Sequence, residues 1–139
     1  MLRAVVDPNV LIAAAINRAG TPGQVLAAAA RERYTLLVSP HLLEELTEVL
    51  HRPALRRWLT LEEVQRFIRE VDDMAELIAD APQPWAPATR DPKDDYLVAL
   101  ARASSADVLV SRDHDLTALV SAVPPVLTPA AFLRRLGAE

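Results

Sequence analysis

The stretch Ala4-Val5-Val6-Asp7-Pro8-Asn9-Val10-Leu11-Ile12 (AVVDPNVLI) decides how the chain folds, because an apolar run is interrupted and then resumes. The β-branched residues before the break favour a strand. The pair Asp7-Pro8 is typical of a helix start, where Asp caps the first turn and Pro takes the first helical position. A second interpretation gives Asp7 and Asn9 a chemical role. The local sequence favours the cap.

Outward from this corner, short β-rich runs alternate with longer helical patterns. We predict strands at 3–6, 35–38, 108–111 and 126–127, and helices at 10–17, 22–33, 40–51, 61–79, 92–104 and 129–136. The interval 81–90 has the composition of a loop. This alternation predicts an α/β fold in which helices cover a parallel sheet.

Further helix starts repeat the pattern of a capping side chain followed by proline. These pairs are Thr21-Pro22, Ser39-Pro40, Asp91-Pro92 and Thr128-Pro129. Each capping side chain can accept a hydrogen bond from an otherwise unsatisfied backbone N–H, and each proline presets the φ angle of the first turn.

The composition fits one domain spanning 1–139, because 51% of the 139 residues are hydrophobic and can bury a single core. Cysteine is absent, which excludes disulfides, thiolate metal sites and cysteine nucleophiles. The formal charge of -4 gives no overall attraction for nucleic acid. No segment approaches the ~20 apolar residues of a membrane span. We therefore expect a cytoplasmic protein without a membrane partner.

Acidic residues follow two of the predicted strands. Asp7 follows the first strand, and Asp113 and Asp115 follow the strand that ends at Ser111. The carboxyl ends of parallel strands meet at one edge of the sheet, where ligands usually bind. We therefore expect these acids to lie near one another.

Helical phase, at 100° per residue, selects two more acids. In the helix at 40–51, Glu45 borders the apolar stripe, whereas the neighbouring glutamates face solvent. In the helix at 92–104, Asp94 lies on the inner face and Asp95 points to the side. Asp94 also has a structural interpretation, because it could support a cap in the manner of a capping box.

Repulsion among the acids at this edge would be severe without a divalent cation. The four candidates are Asp7, Glu45, Asp94 and Asp113. Hard oxygen ligands without cysteine favour Mg²⁺ or Mn²⁺ over zinc. The sequence therefore predicts a Mg²⁺ or Mn²⁺ site.

Segments along nearly the whole chain resemble the motifs of the PIN-domain family, in that family's order and spacing. They are VVDPNVLI, LVSPHLLEELTEVLHRP, RDPKDDYLVALA and ADVLVSRDHDL. The resemblance is specifically to the toxin component (VapC-like ribonuclease) of prokaryotic toxin–antitoxin systems. It implies a three-layer α/β/α fold with a central parallel sheet, Rossmann-like but without a Gly-rich loop.

By this resemblance, the catalytic and metal-binding residues are Asp7, Glu45, Asp94 and Asp113. Asp115 is either a further ligand or the cap of the next helix. Asn9 and Ser111 correspond to residues that support the site. Pro8 stands where the family often has Thr or Ser, so any hydrogen bond from a hydroxyl at that position is lost.

The resemblance implies an endoribonuclease that hydrolyses RNA phosphodiester bonds with Mg²⁺ or Mn²⁺. Its implied partners are RNA, a small antitoxin and a second copy of the chain in a homodimer. The apolar stripe of the helix at 61–79 could serve the dimer or the protein's own core. Candidates for contacting RNA phosphates are Arg112, Arg90, Arg52, Arg56 and Arg57.

Other functions fit the sequence less well or equally well. A dinucleotide-binding enzyme is excluded, because it needs a Gly-rich phosphate turn directly after the first strand and the only glycines are Gly20, Gly23 and Gly137. A phosphoryl-transfer domain fits poorly, because Asn9 stands where a second acid is expected and Lys93 is the only lysine. An RNA-processing nuclease without an antitoxin is a compatible alternative. A noncatalytic RNA- or protein-binding module of the same fold is a further alternative, but the presence of all four acids argues against it.

Overall fold

The computed structural model describes residues 1–89, 92–119 and 124–138. Its first strand, β1 (Arg3–Val6), is fully buried at residues 4–6 and is followed after one residue by helix α1 (Pro8–Ile16). A short strand without exposed positions is typical of a parallel sheet that is covered on both faces. The opening stretch is therefore a strand-to-helix corner, as predicted.

The remaining elements continue the alternation. The strands are β2 (Thr35–Val38), β3 (Glu76–Leu77), β4 (Val108–Val110) and β5 (Val126–Leu127). The helices are α2 (Thr21–Ala30), α3 (Pro40–Leu50), α4 (Leu61–Met74), α5 (Pro92–Ala103), α6 (His114–Thr117) and α7 (Pro129–Ala138), with a 3-10 helix at Pro53–Arg57. Within the described ranges, no helix is both long enough and apolar enough to cross a membrane.

The sheet contains five parallel strands in the order β3-β2-β1-β4-β5. The chain moves outward from β1 to β3, then crosses back to the other side of β1 for β4 and β5. Because parallel crossovers are right-handed, the two directions place helices on opposite faces. The predicted three-layer α/β/α fold is confirmed. The reversal leaves a crevice at the carboxyl ends of β1 and β4, where open α/β sheets usually bind ligands.

One hydrophobic core lies between the sheet and its helices. Helix α5 packs against β1 and β4, and α1 packs against α2 and α3. The stripe of α4 contributes Val64, Phe67 and Val71 to this core. Of the two interpretations of that stripe, burial in the protein's own core is the one that the fold adopts.

Two predicted helices end earlier than expected. Helix α4 stops at Met74 instead of residue 79, because the next residue is extended and Glu76–Leu77 pairs with the end of β2. Strand β3 was missed because a two-residue strand shows no alternation of its own. Helix α2 stops at Ala30 instead of residue 33, and Glu32 takes a left-handed φ of 58°.

Most of the predicted caps form. The side chains of Asp7, Ser39 and Thr128 each accept a hydrogen bond from a backbone N–H in the first turn of the following helix. The prediction for Thr21 is wrong, because α2 begins at this residue and has no side-chain cap. The pair Asp91-Pro92 includes a residue outside the described ranges.

Candidate active site

Asp7 lies at the carboxyl end of β1, where the crevice begins, and is only 2% exposed. Its Oδ1 accepts a hydrogen bond from the Asn9 N–H at 2.9 Å, which caps α1. Its Oδ2 accepts a hydrogen bond from the Ser111 hydroxyl at 2.8 Å. The cap and the site therefore use different oxygens of the same carboxylate.

Ser111 connects Asp7 to the segment that follows β4. Its hydroxyl oxygen accepts a hydrogen bond from the Asp113 N–H at 3.0 Å while donating to Asp7. Asp113 in turn accepts from the Asp115 N–H at 2.8 Å and caps α6. Asp115 enters this network through its backbone, and its carboxylate makes no hydrogen bond to any residue in the described ranges.

The charges around Asp7 identify its neighbours. Burial raises the pKa of Asp7, and the hydrogen bonds from Asn9 and Ser111 oppose this effect. The carboxylate of Asp113 raises the pKa further, whereas the guanidinium of Arg112 lowers it. Asp7 and Asp113 are therefore close enough to repel each other, as two acids in one site would.

Glu45 approaches the same place from α3. It is half-buried, whereas Glu44 and Glu48 are exposed, in agreement with the helical phase. Burial raises the pKa of Glu45, and the negative charge of Asp7 raises it further. Glu45 therefore faces Asp7, although the two residues lie on different elements.

Helix α5 contributes Asp94, which is half-buried, and Tyr96, which is 2% exposed. Burial raises the pKa of Tyr96, and the carboxylates of Glu45, Asp7 and Asp94 each raise it further. The Tyr96 hydroxyl therefore lies among three of the four predicted acids. Tyr96 was not predicted from the sequence, although a polar hydroxyl on an otherwise apolar helix face was a usable signal.

The predicted orientation of Asp95 on α5 is wrong. We expected it to point to the side, but it is only 6% exposed. Its Oδ1 accepts hydrogen bonds from the Ala88 N–H at 3.1 Å, the Thr89 N–H at 2.9 Å and the Thr89 hydroxyl at 3.0 Å. Burial alone would raise the pKa of Asp95, but these hydrogen bonds outweigh it and lower the pKa. Asp95 therefore anchors the loop before α5.

The chemistry of the acids suits a hard divalent cation, but their placement does not yet form a complete site. Asp7 repels both Glu45 and Asp113, and none of these three forms a salt bridge in the described part of the chain. Within that part, no three acidic or histidine side chains are arranged to hold a metal ion. The oxygen ligands fit Mg²⁺ or Mn²⁺, and binding one ion would require the carboxylates to move closer together.

Arg112 is the one predicted RNA-binding arginine that the described structure brings to the acids. Its side chain is exposed and lines a cavity of about 470 Å³ with Asn9, Asp113 and one face of α1. Arg90 lies outside the described residues. A phosphate in this cavity would therefore meet Arg112 beside the acidic site.

The other predicted arginines lie beyond the C-terminal end of α3. Arg52, Arg56 and Arg57 contact, respectively, the Glu48 carboxylate at 3.5 Å, the Leu50 carbonyl and the Trp58 ring at 4.9 Å from its centroid. The structure places none of the three beside the acids. A cation at a helix C-terminus is favourable, so these contacts fit a structural role.

Comparison with known proteins identifies the same fold. Residues 3–115, which include all four acids, match the family model described as PIN domain. The chain is 29% identical over 119 residues to the uncharacterized protein MJ1680 of Methanocaldococcus jannaschii, covering 85% of this chain and 75% of that protein. The crystal structure of PAE2754 from Pyrobaculum aerophilum is similar with a TM-score of 0.72 and 19% identity, over 99% of this chain and 91% of that chain.

Proposed function

This chain belongs to the PIN-domain family, and on that basis we propose that it is a Mg²⁺- or Mn²⁺-dependent endoribonuclease. Members of the family are generally nucleases. The observation that carries the proposal is that the carboxylates of Asp7, Glu45 and Asp94 all act on one buried hydroxyl, that of Tyr96, and that the carboxylate of Asp113 acts on Asp7. Burying carboxylates that repel one another destabilises the folded protein, unless a bound cation neutralises their charge.

In the proposed reaction, the four acids would hold a cation, and such an ion would supply activation of water and neutralisation of the charge on the scissile phosphate. Asn9 and Ser111 each fix one oxygen of Asp7. Ser111 also fixes the backbone of Asp113. Arg112 contacts the RNA phosphate without reading the bases. No side chain forms a covalent bond with the RNA.

Cleavage of a labelled RNA tests this function. We expect cleavage with Mg²⁺ or Mn²⁺, no cleavage in EDTA, and loss of cleavage in Asp94→Asn. Asp72→Asn is the matched control, because Asp72 is exposed on α4. Unchanged cleavage in EDTA, or by Asp94→Asn, would contradict the metal mechanism.

Metal binding can be measured without a substrate. A cation that binds only the folded protein stabilises it by mass action. We therefore expect millimolar Mn²⁺ to raise the Tm of the wild type and to raise that of Asp7→Asn much less. An equal response in the two proteins would count against a site that includes Asp7.

For the biological role, we propose that the protein is the toxin component of a toxin–antitoxin pair, acting in the cytoplasm as a homodimer. A small antitoxin with a basic segment would cover the acidic crevice. The decisive observations are whether a small open reading frame precedes the gene, and whether its product binds the purified protein and blocks cleavage. An RNA-processing nuclease would cleave without such a partner, and a noncatalytic module would bind RNA without cleaving it.

A further inference from the structure

The hydroxyl of Tyr96 is buried and makes no hydrogen bond of normal geometry to any residue in the described ranges. The second tyrosine, Tyr34, is equally buried, at 2% exposure, but donates to the Val25 carbonyl at 2.9 Å. A buried hydroxyl without a partner is unfavourable. The contrast indicates that the Tyr96 hydroxyl, unlike that of Tyr34, is not positioned by a backbone carbonyl.

The ring of Tyr96 is held by two aromatic neighbours. His41 contacts it edge-to-face with centroids 4.3 Å apart, and the Trp85 ring lies 5.7 Å away. Trp85 is itself fixed by its indole N–H, which donates to the Ala81 carbonyl at 3.0 Å. The direction of the phenol is therefore set by packing, so the hydroxyl has a fixed position in the site.

Glu45 is the best acceptor within reach. Both oxygens of Asp7 already accept hydrogen bonds, from Asn9 and Ser111. Glu45 accepts no hydrogen bond of normal geometry from the described residues, and among the three carboxylates it has the largest effect on the pKa of Tyr96. Interaction of the Tyr96 hydroxyl with the Glu45 carboxylate lowers the pKa of Glu45 and raises that of Tyr96, but the two groups lie outside normal hydrogen-bond geometry. A small movement of Glu45 would complete the bond.

We propose that Tyr96 is a positioning residue, whose hydroxyl donates a hydrogen bond to the Glu45 carboxylate when the acidic site closes around a cation. This inference rests on the proposed function. The bond would fix the orientation of the Glu45 carboxylate and leave it free to bind a cation through its remaining lone pairs. Hydrogen bonds from neighbouring groups orient ligating carboxylates in this way, and their loss typically costs 10–100-fold in metal affinity or activity.

Nuclear magnetic resonance can detect this bond directly. The protein has two tyrosines, so in the full chain labelled with ¹³C at tyrosine Cζ, Tyr34→Phe assigns both signals. In the presence of Mg²⁺, we expect Glu45→Gln to shift the Tyr96 signal and to leave the Tyr34 signal in place. Glu44→Gln, which changes an exposed neighbour, is the control and should move neither. A Tyr96 signal that Glu45→Gln leaves unmoved would overturn the inference.

Tyr96→Phe supplies a second test, because it keeps the ring and removes only the hydroxyl. We expect its Mn²⁺ affinity and kcat to fall 10–100-fold, with KM for RNA and the Tm close to those of the wild type. Affinity and kcat within twofold of the wild type would overturn the inference. If the wild type cleaves no RNA, a Tyr96 signal that responds to Glu45→Gln still supports the hydrogen bond. Failure of the proposed function and failure of this inference are therefore separate results.

Discussion

The Ser111 hydroxyl donates a 2.8 Å hydrogen bond to Asp7 across a sequence separation of 104 residues. Both residues are buried, and they follow strands that pair directly, with Val6 opposite Val110. This bond connects the carboxyl ends of β1 and β4, at the point where the strand order reverses. It is the structural link between the first acid of the site and the segment that carries Asp113.

Removing the Ser111 hydroxyl should damage both stability and activity. Ser111→Ala leaves an oxygen of Asp7 and the N–H of Asp113 without their partner. We expect the free energy of unfolding, measured with urea, to fall by about 1–3 kcal/mol, and cleavage to fall at least 10-fold. Ser104→Ala is the control, because Ser104 follows α5 directly and its hydroxyl donates only to the carbonyls of Leu100 and Ala101 in that helix. Ser111→Thr should restore most of the activity, and a Thr variant as inactive as the Ala variant would contradict this role.

The pKa of Asp7 predicts how stability depends on pH. Burial raises this pKa above the ordinary value of 3.8, so the folded protein binds the proton more tightly than the unfolded chain does. The contribution of this group is therefore complete below pH 3.8 and is lost as the pH rises through the folded pKa. Asp7→Asn cannot ionise, so it should lose less stability than the wild type as the pH rises from 3.8 through the folded pKa of Asp7.

Urea unfolding at a series of pH values measures this difference. Asp72→Asn, at an exposed position, should follow the wild-type curve. If the free energy of unfolding of Asp7→Asn and of the wild type changes with pH in parallel, the folded state does not raise the pKa of Asp7, and the prediction is wrong.

Asp95 should contribute stability with the opposite pH dependence. Asp95→Ala removes the acceptor of three hydrogen bonds from the loop, and we expect a loss of about 2–3 kcal/mol at neutral pH. Because the folded pKa is lowered, this contribution is present above the unfolded pKa and is lost as the pH falls through the folded one. Limited proteolysis should cut residues 81–89 faster in Asp95→Ala than in Asp72→Ala. Equal rates would contradict the anchoring role.

Arg112 should bind RNA through phosphate. In an inactive Asp94→Asn background, Arg112→Ala should weaken RNA binding for all sequences, and the slope of log Kd against log salt should fall by about 1. Arg33→Ala is the control, because Arg33 is exposed near the start of β2, at the opposite edge of the sheet. If both variants lose RNA affinity equally, Arg112 acts only through the overall surface charge and does not contact a phosphate at the site.

Local signals in the sequence predicted most of the fold. Proline after a capping side chain marked α1, α3 and α7, because the cap and the fixed φ angle act within a single turn. Strand β3 was not predictable, because it exists only where β2 offers an edge for Glu76–Leu77 to pair with. Likewise, the early end of α4 follows from that pairing and not from any breaker residue.

The candidate site divides in the same way. Asp7 and Asp113 follow strands, so the parallel sheet alone places them at one edge, and helical phase was sufficient for Glu45. Helical phase was insufficient on α5, where Asp94 and Asp95 are adjacent. How deeply each of them is buried depends on the rotation of the helix against the sheet and on the loop that covers the helix. Asp95 is buried because that loop donates three hydrogen bonds to it.

The sequence by itself determined the alternation of strands and helices, the acids at the strand ends and the cap at Asp7, because each depends on neighbours within a few residues. Only the tertiary structure decided that Ser111 holds Asp7, that Asp95 anchors a loop and that the Tyr96 hydroxyl lies among three carboxylates. Those relationships join distant segments, and packing of the whole core fixes their distances.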